Sequence, residues 1–238
     1  MATIDPELLK NGAARLGVNL DEGALDRFDR YAAMIIETNK VMNLTAITEP
    51  DDIVIKHFLD SLSLLSALEL PTGAKVIDVG TGAGLPGIAL LIARPDLTVT
   101  LLDSTKKKLV FLETVLTALN LSALTAHARA EEAARKPEFR EKFDLAAARA
   151  VAGMNELSEY CLPFVKTGGK FVAMKGANAQ EELRTAKPAI KTLGGFIRGV
   201  KTYQLKDAGE RNLIIIERQY PSPYKYPRPS AQIAKKPL

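Results

Sequence analysis

The sequence predicts an α/β fold: a doubly wound, seven-stranded sheet, mostly parallel, with an antiparallel last strand and a group of helices before it. Three observations predict it. From Lys75 to Leu193, short apolar runs alternate with segments of helical period, which is the rhythm of strand–helix–strand units. A glycine-rich turn follows the first of these runs, where such units place their ligand loops. Two strand-like runs joined by Lys206–Arg211 then end the chain's regular part as a hairpin, and a hairpin brings antiparallel pairing.

Residues 1–70 read as helical. Asp21 is an N-cap, and Leu25, Phe28, Ala32, Ile35 and Ile36 follow it at helical spacing. A second helix is predicted from about Pro50 to Leu68, with Ile53, Ile55, Phe58, Leu59, Leu62 and Leu65 on a broad apolar face. Pro71-Thr72-Gly73 breaks the chain. The predicted strands are Lys75–Val79, Val99–Asp103, Leu124–Ala128, Asp144–Arg149, Gly169–Lys175, Phe196–Leu205 and Asn212–Tyr220. Helices are expected to start near Pro86, Thr105, Glu131 and Asn155, with another over Asn178–Leu193. The chain thus divides into a helical extension (1–70), the sheet domain (71–220) and a basic, Pro-rich tail (221–238). No internal repeat is present.

The 238 residues are 47% apolar and 25% charged, which excludes disordered and collagen-like chains. A single cysteine, Cys161, excludes a disulfide framework and a thiolate-rich zinc site. With His57 and His127 as the two histidines, no metal site is expected. No apolar run reaches membrane-spanning length and the N-terminus lacks an apolar signal core, so the expectation is a cytoplasmic protein without membrane contact. The net charge is +4, and the tail holds all of the excess in Lys225, Arg228, Lys235 and Lys236. Read as a flexible arm, it would track a phosphate backbone, and its deletion would flatten the salt dependence of that contact. A solvated terminus is the plainer reading. Lys106-Lys107-Lys108 opens a helix, where cations oppose the dipole, and points to an anionic partner.

The most informative stretch is Asp78-Val79-Gly80-Thr81-Gly82-Ala83-Gly84-Leu85-Pro86-Gly87. Glycines belong where backbone takes positive φ or approaches a ligand. Asp103 ends the second strand, where an acid accepts hydrogen bonds from ribose hydroxyls, although Asp103-Ser104-Thr105 also suits a helix cap. Gly82–Gly87 matches the dinucleotide fingerprint, whereas Gly80-x-Gly82-x-Gly84 with Asp78 matches an S-adenosylmethionine (SAM) loop. The carboxylate favours SAM, because it would repel a pyrophosphate and tolerate a sulfonium or ammonium. Asp78 can equally bond within its own loop.

The chain resembles the RsmG family (glucose-inhibited division protein B), which methylates guanine N7 in 16S ribosomal RNA. The likeness rests on the glycine loop with Asn43-Leu44-Thr45, Lys56-His57-Phe58-Leu59-Asp60-Ser61, Leu102-Asp103-Ser104, Arg129-Ala130-Glu131, Ala148-Arg149-Ala150, Met174-Lys175-Gly176 and Lys225-Tyr226-Pro227-Arg228. It implies the SAM-methyltransferase (Rossmann-like) version of the sheet, SAM as cofactor, and 16S rRNA of the small ribosomal subunit as partner, with the guanine in the five-thirty loop. It also implies that Gly80 and Leu85 contact SAM, that Asp103 holds the ribose, that Ala130 and Glu131 flank the adenine, and that Arg149 faces the cofactor. Asp78, Thr81, Gly82, Gly84 and Ser104 complete the expected cofactor set. A monomer is expected.

Arg149, Lys175, His57 and Asp60 are the candidates for positioning the reactants; His57 and Asp60 share one helix face at i, i+3. The same residues could instead tie the helices to the sheet. Guanine N7 carries an unshared lone pair and no proton, so no general base is expected. Alignment of the reactants would supply up to ~7–11 kcal/mol, and Asp78 is a candidate to stabilise developing positive charge. Methylation of a small molecule or protein, an NAD-dependent oxidoreductase and a SAM- or RNA-binding protein without activity stay open at this level.

Overall fold

The computed structural model describes residues 2–205 and 208–238. Its centre is a seven-stranded sheet: β1 (Lys75–Val79), β2 (Thr98–Asp103), β3 (Leu124–His127), β4 (Phe143–Arg149), β5 (Val165–Lys175), β6 (Gly195–Leu205) and β7 (Gly209–Arg218). The order across the sheet is β3-β2-β1-β4-β5-β7-β6. Strands β1 to β5 pair in parallel, and β7 runs antiparallel to both β5 and β6. The order reverses between β1 and β4, so a crevice opens beyond the carboxyl ends of these strands.

Helices cover both faces because alternate strand residues point to opposite sides. Val76, Leu101, Leu145 and Val172 pack against one layer: α1 (Pro6–Arg15), α2 (Glu22–Asn39), α3 (Pro50–Ile53), α4 (Asp60–Ala67), α5 (Gly87–Ala93) and α6 (Lys106–Ala118). Ile77, Leu102, Ala146 and Phe171 pack against the other: α7 (Ala130–Ala133), α8 (Met154–Cys161) and α9 (Ala179–Thr192). Cys161 is buried in this second layer.

Local sequence explains the N-terminal helices. Asp5 caps α1 by accepting from Glu7 and Leu8 N–H, and Asp21 caps α2 by accepting from Ala24 N–H at 2.7 Å. Phe28, Tyr31 and Phe58 then stack across α2 and the next helix, with ring centroids 4.8 and 5.5 Å apart. The helix expected over Pro50–Leu68 is not regular. Between α3 and α4, Val54–Leu59 winds as a π-helical turn. Such wide turns often occur at functional sites, and this one carries Lys56 and His57.

The hairpin departs from its simplest reading. The last strand, β7, lies inside the sheet, and β6 takes the edge. Composition explains the choice: Leu213, Ile214 and Ile216 are fully buried, whereas β6 alternates exposed and half-buried positions. Lys206 and Asp207 of the predicted connection lie outside the described residues.

The tail is not a flexible arm. Arg140 donates to the carbonyls of Ser222 and Tyr226, and Arg135 to those of Lys225 and Pro227, at 2.8–3.2 Å. Residues Ser230–Lys235 form a further helix, α10, whose Ile233 is fully buried. The reason is that apolar Tyr226 and Ile233 interrupt the basic residues and anchor the segment to the second helix layer.

Candidate active site

The glycine turn is built by hydrogen bonds across two strands. Gly80 and Thr81 N–H donate to the Leu102 carbonyl, at 2.9 and 3.0 Å, and Gly82 N–H donates to Asp103 Oδ2 at 3.0 Å. Gly80, Gly82 and Gly84 hold φ of 71°, 59° and 96°, in the left-handed region that disfavours a side chain. From α2, the Tyr31 hydroxyl donates to the Ala83 carbonyl at 2.5 Å, so the N-terminal helices brace the turn from behind.

Two residues expected to touch the cofactor lie beneath the turn instead. Asp78 is fully buried; its Oδ2 accepts from the Thr81 hydroxyl at 2.7 Å and from Gly87 N–H at 2.8 Å. Gly84 packs inward, where a Cβ would come within 2.6–2.9 Å of Tyr31, Ile88 and Leu112. Neither lines the crevice. Gly84→Ala is therefore expected to cost ~2–4 kcal/mol, from left-handed strain plus overpacking. Gly82→Ala has no atom nearer than 3.9 Å and should cost about 1 kcal/mol. Urea unfolding of both variants checks the difference.

The crevice holds two adjoining cavities that share Gly80, Lys108 and Ala150 in their walls. The smaller, about 390 Å³, lies over the ends of β2 and β3 and is lined by Asp103, Ser104, Ala130 and Glu131, with Glu156 and Tyr160 from α8. Its charged lining is mixed, with these three carboxylates against Lys108 and Arg129. The larger, about 610 Å³, lies over the ends of β1, β4 and β5 and receives Thr81, Gly82 and Leu85 from the turn. Lys56, Arg149, Lys175 and Arg211 make it basic. At the junction Ala150 takes φ 56° and turns Val151 over Gly80, where any Cβ would meet Val151 Cγ2 at 2.8 Å. Strain of this kind is concentrated at functional sites.

Arg149 joins the two helical parts of the site. Its Nη1 donates to Asp60 Oδ2 and to the Lys56 carbonyl, each at 3.1 Å, and its Nη2 lies 3.4 Å from His57 Nδ1. Asp60 is buried and also accepts from the Tyr203 hydroxyl at 2.8 Å; Arg211 stands 3.8 Å away. Lys175 lines the cavity, but its ammonium donates to the Ala152 carbonyl and to Glu182, both at 2.6 Å, which ties β5 to α9. Lys108 is at the shared wall, whereas Lys106 and Lys107 face solvent. His127 is an exposed strand-end residue with Nε2 3.1 Å from the Ser104 carbonyl.

Tyr31, Thr45, Tyr203 and Arg211 were not predicted as site residues. Tyr31 fell within the apolar face of α2 and reads as core. Tyr203 and Arg211 reach the site only because β7 lies inside the sheet, which no local pattern announces. Thr45 lies within a recognised motif, and its role appears once the π-helical turn brings His57 within 2.8 Å.

Electrostatics distinguishes Asp78 from His57. Burial pushes Asp78 up to about 6, against the lowering effect of its hydrogen bonds from Thr81 and Gly87. Burial and the Arg149 guanidinium push His57 down to about 4, so it is neutral at pH 7. Its Nδ1 lies 3.2 Å from the Lys56 carbonyl and its Nε2 lies 2.8 Å from the Thr45 hydroxyl. The Asp78 contribution to stability is complete below its unfolded pKa, near 4, and is lost as pH rises through about 6. The His57 contribution is complete above about 6.5 and is lost as pH falls through about 4. The two oppose each other between pH 4 and 6. Asp78→Asn is expected to lose ~2–3 kcal/mol more than wild type over that interval on acidification. Urea unfolding at pH 4, 5, 6 and 7 checks this; parallel curves would contradict it.

Among the described residues, no three His, Cys, Asp or Glu side chains gather as metal ligands, and no helix is long and apolar enough to cross a membrane.

The sheet order, the glycine turn and the acid at the end of β2 define an α/β fold of the SAM-dependent methyltransferase class. The crystal structure of M. jannaschii TYW2 in complex with AdoMet shares this fold with a TM-score of 0.50 and 15% identity, over 62% of this chain and 70% of that one. The chain belongs to the rRNA small subunit methyltransferase G (GidB) family, which it matches over residues 24–214. It is 47% identical to the ribosomal RNA small subunit methyltransferase G of Lachnoclostridium phytofermentans over 229 residues, 95% of either chain. With the protein of the same name from Acetivibrio thermocellus it shares 46% identity over 234 residues, 98% of this chain and 96% of the relative.

Proposed function

We propose that the protein transfers the methyl group of SAM to N7 of a guanine in 16S rRNA of the small ribosomal subunit. The observation that carries this reading is the use of the Gly87 N–H. It opens α5, where a dinucleotide fold would present it to a pyrophosphate, and here it is consumed by Asp78 at 2.8 Å. The adjoining cavity carries a slight acidic excess as well, with Asp103, Glu131 and Glu156 against Lys108 and Arg129. A nucleoside with hydroxyls and a positive charge fits this lining, and an anionic pyrophosphate does not.

Asp103 would hold the ribose, with both carboxylate oxygens already fixed by Gly82 and Thr105 N–H. Ser104, Ala130 and Glu131 would flank the adenine, and Gly80 and Leu85 would bound the path toward the larger cavity. SAM supplies an electrophilic methyl group on a sulfonium. The basic larger cavity would receive the guanine and the RNA phosphate near it, with exposed Lys106 and Lys107 adding to the field. Because N7 carries no proton, the protein needs no base there. The polar groups around the cavity accord with this: His57 is held neutral between Thr45 and Lys56, and each oxygen of Asp60 is engaged, one by Arg149 and one by Tyr203. Their role is to hold shape and exclude water rather than to move protons.

The test is transfer from methyl-labelled SAM to small subunits and to naked 16S rRNA, followed by nucleoside digestion. Label in 7-methylguanosine is expected. Label in another nucleoside, or only in protein or small molecules, would overturn the proposal.

A further inference from the structure

We infer that the C-terminal segment Arg228–Lys235 is a strap that completes the nucleoside cavity and so serves cofactor binding. This rests on the SAM reading above. The residue that carries it is Ser230, the first of α10, which lines the smaller cavity together with Asp103 and Ala130. The segment that holds Ser230 in place is locked to the same elements that form the rest of the cavity.

The lock is Glu159 on α8. It is fully buried, and its carboxylate accepts from Arg228 four times: from the backbone N–H at 2.7 Å, from Nε at 2.9 and 3.2 Å, and from Nη2 at 2.7 Å. A buried carboxylate is costly unless it is paired in this way. Glu159 lies between Glu156 and Tyr160, which line the cavity. Beyond the lock, the fully buried Ile233 seats α10 on α8. On the other side of the cavity, Ala130 and Glu131 belong to α7, and the chain just after α7 carries Arg135, which donates to the Pro227 carbonyl at 3.0 Å. Both walls of the nucleoside cavity are thus tied to the tail.

The tail's charges are divided accordingly. Arg228 is spent on Glu159, while Lys225, Lys235 and Lys236 remain exposed. A segment pinned at this many points cannot sample a phosphate backbone as a free arm does.

The experiment uses the full chain and SAM alone, without RNA. A chain ending at Pro229 keeps the Arg228–Glu159 pair and loses Ser230 and Ile233. Its Kd for SAM by calorimetry is expected to rise about tenfold, which corresponds to ~1.4 kcal/mol. The protein contains no tryptophan, so Ser230→Trp gives a single reporter in the full-length chain whether or not the shortened chain folds. Its emission is expected to shift when SAM saturates the site, while Lys236→Trp, on the exposed end of the tail, stays unchanged. An unaltered Kd in the shortened chain together with unmoved emission from Ser230→Trp would overturn the strap and leave the SAM reading standing. No SAM binding by the wild-type chain would overturn both.

Discussion

Asp103→Ala is expected to weaken SAM binding at least 100-fold. The carboxylate sits at the end of β2, fixed by Gly82 N–H on one oxygen and Thr105 N–H on the other. Both oxygens keep a lone pair for the ribose. Hydrogen bonds to a charged acceptor contribute ~1.5–3 kcal/mol each, and a ribose offers two hydroxyls, so their joint loss reaches ~3 kcal/mol or more. The alanine variant also frees Gly82, which loosens the turn itself. Asp103→Asn keeps one acceptor and should lose about tenfold. Calorimetry on both variants checks the ranking. An alanine variant with wild-type affinity would remove Asp103 from the cofactor site.

Arg149→Met should have the largest combined effect on stability and turnover. It removes the guanidinium that pairs the buried Asp60 at 3.1 Å and caps the Lys56 carbonyl. Leaving a buried charge without its partner costs ~3–5 kcal/mol. Tyr203 still donates to Asp60, so a loss near ~3 kcal/mol in urea unfolding is expected. The double variant Asp60→Asn with Arg149→Met should lose less than the two single losses together, since the stranded charge is gone. Turnover should fall by about 100-fold even where SAM still binds, because the wall of the cavity proposed to receive the guanine has moved. A stable variant with normal methyl transfer would show that Arg149 only decorates the cavity.

Much of the sheet was legible because its strands are short apolar runs with turn residues between them. The bounds of β1 match the sequence reading, as its buried residues stop at a glycine. The glycine turn and Asp103 were legible for a similar reason: their chemistry is local in the chain. What was not legible arises from contacts distant in sequence. The π-helical turn at Val54–Leu59 has the same apolar period as a regular helix, so nothing in the residues marks the extra width. The tail's basic composition reads as a solvated arm, and only the fold reveals that Glu159, itself an unremarkable helix acid in sequence, waits inside to bind Arg228. Asp78 shows the opposite limit. Its position in the motif left ligand and loop both open, while its burial gives it to the Thr81 hydroxyl and the Gly87 N–H.

The place of β7 between β5 and β6 bears on how the chain emerges during synthesis. Strands β1 to β5 can assemble as soon as they are made, but β5 then presents a raw hydrogen-bonding edge until residues beyond Gly209 arrive to cover it. Tyr203 must travel back across 143 positions to meet Asp60, and contacts of such span form late. A nascent chain stalled short of this point would therefore expose a sticky flank and lack one side of its reaction chamber. The cover for the β5 flank and the arrival of Arg211 at the larger cavity fall at the same moment.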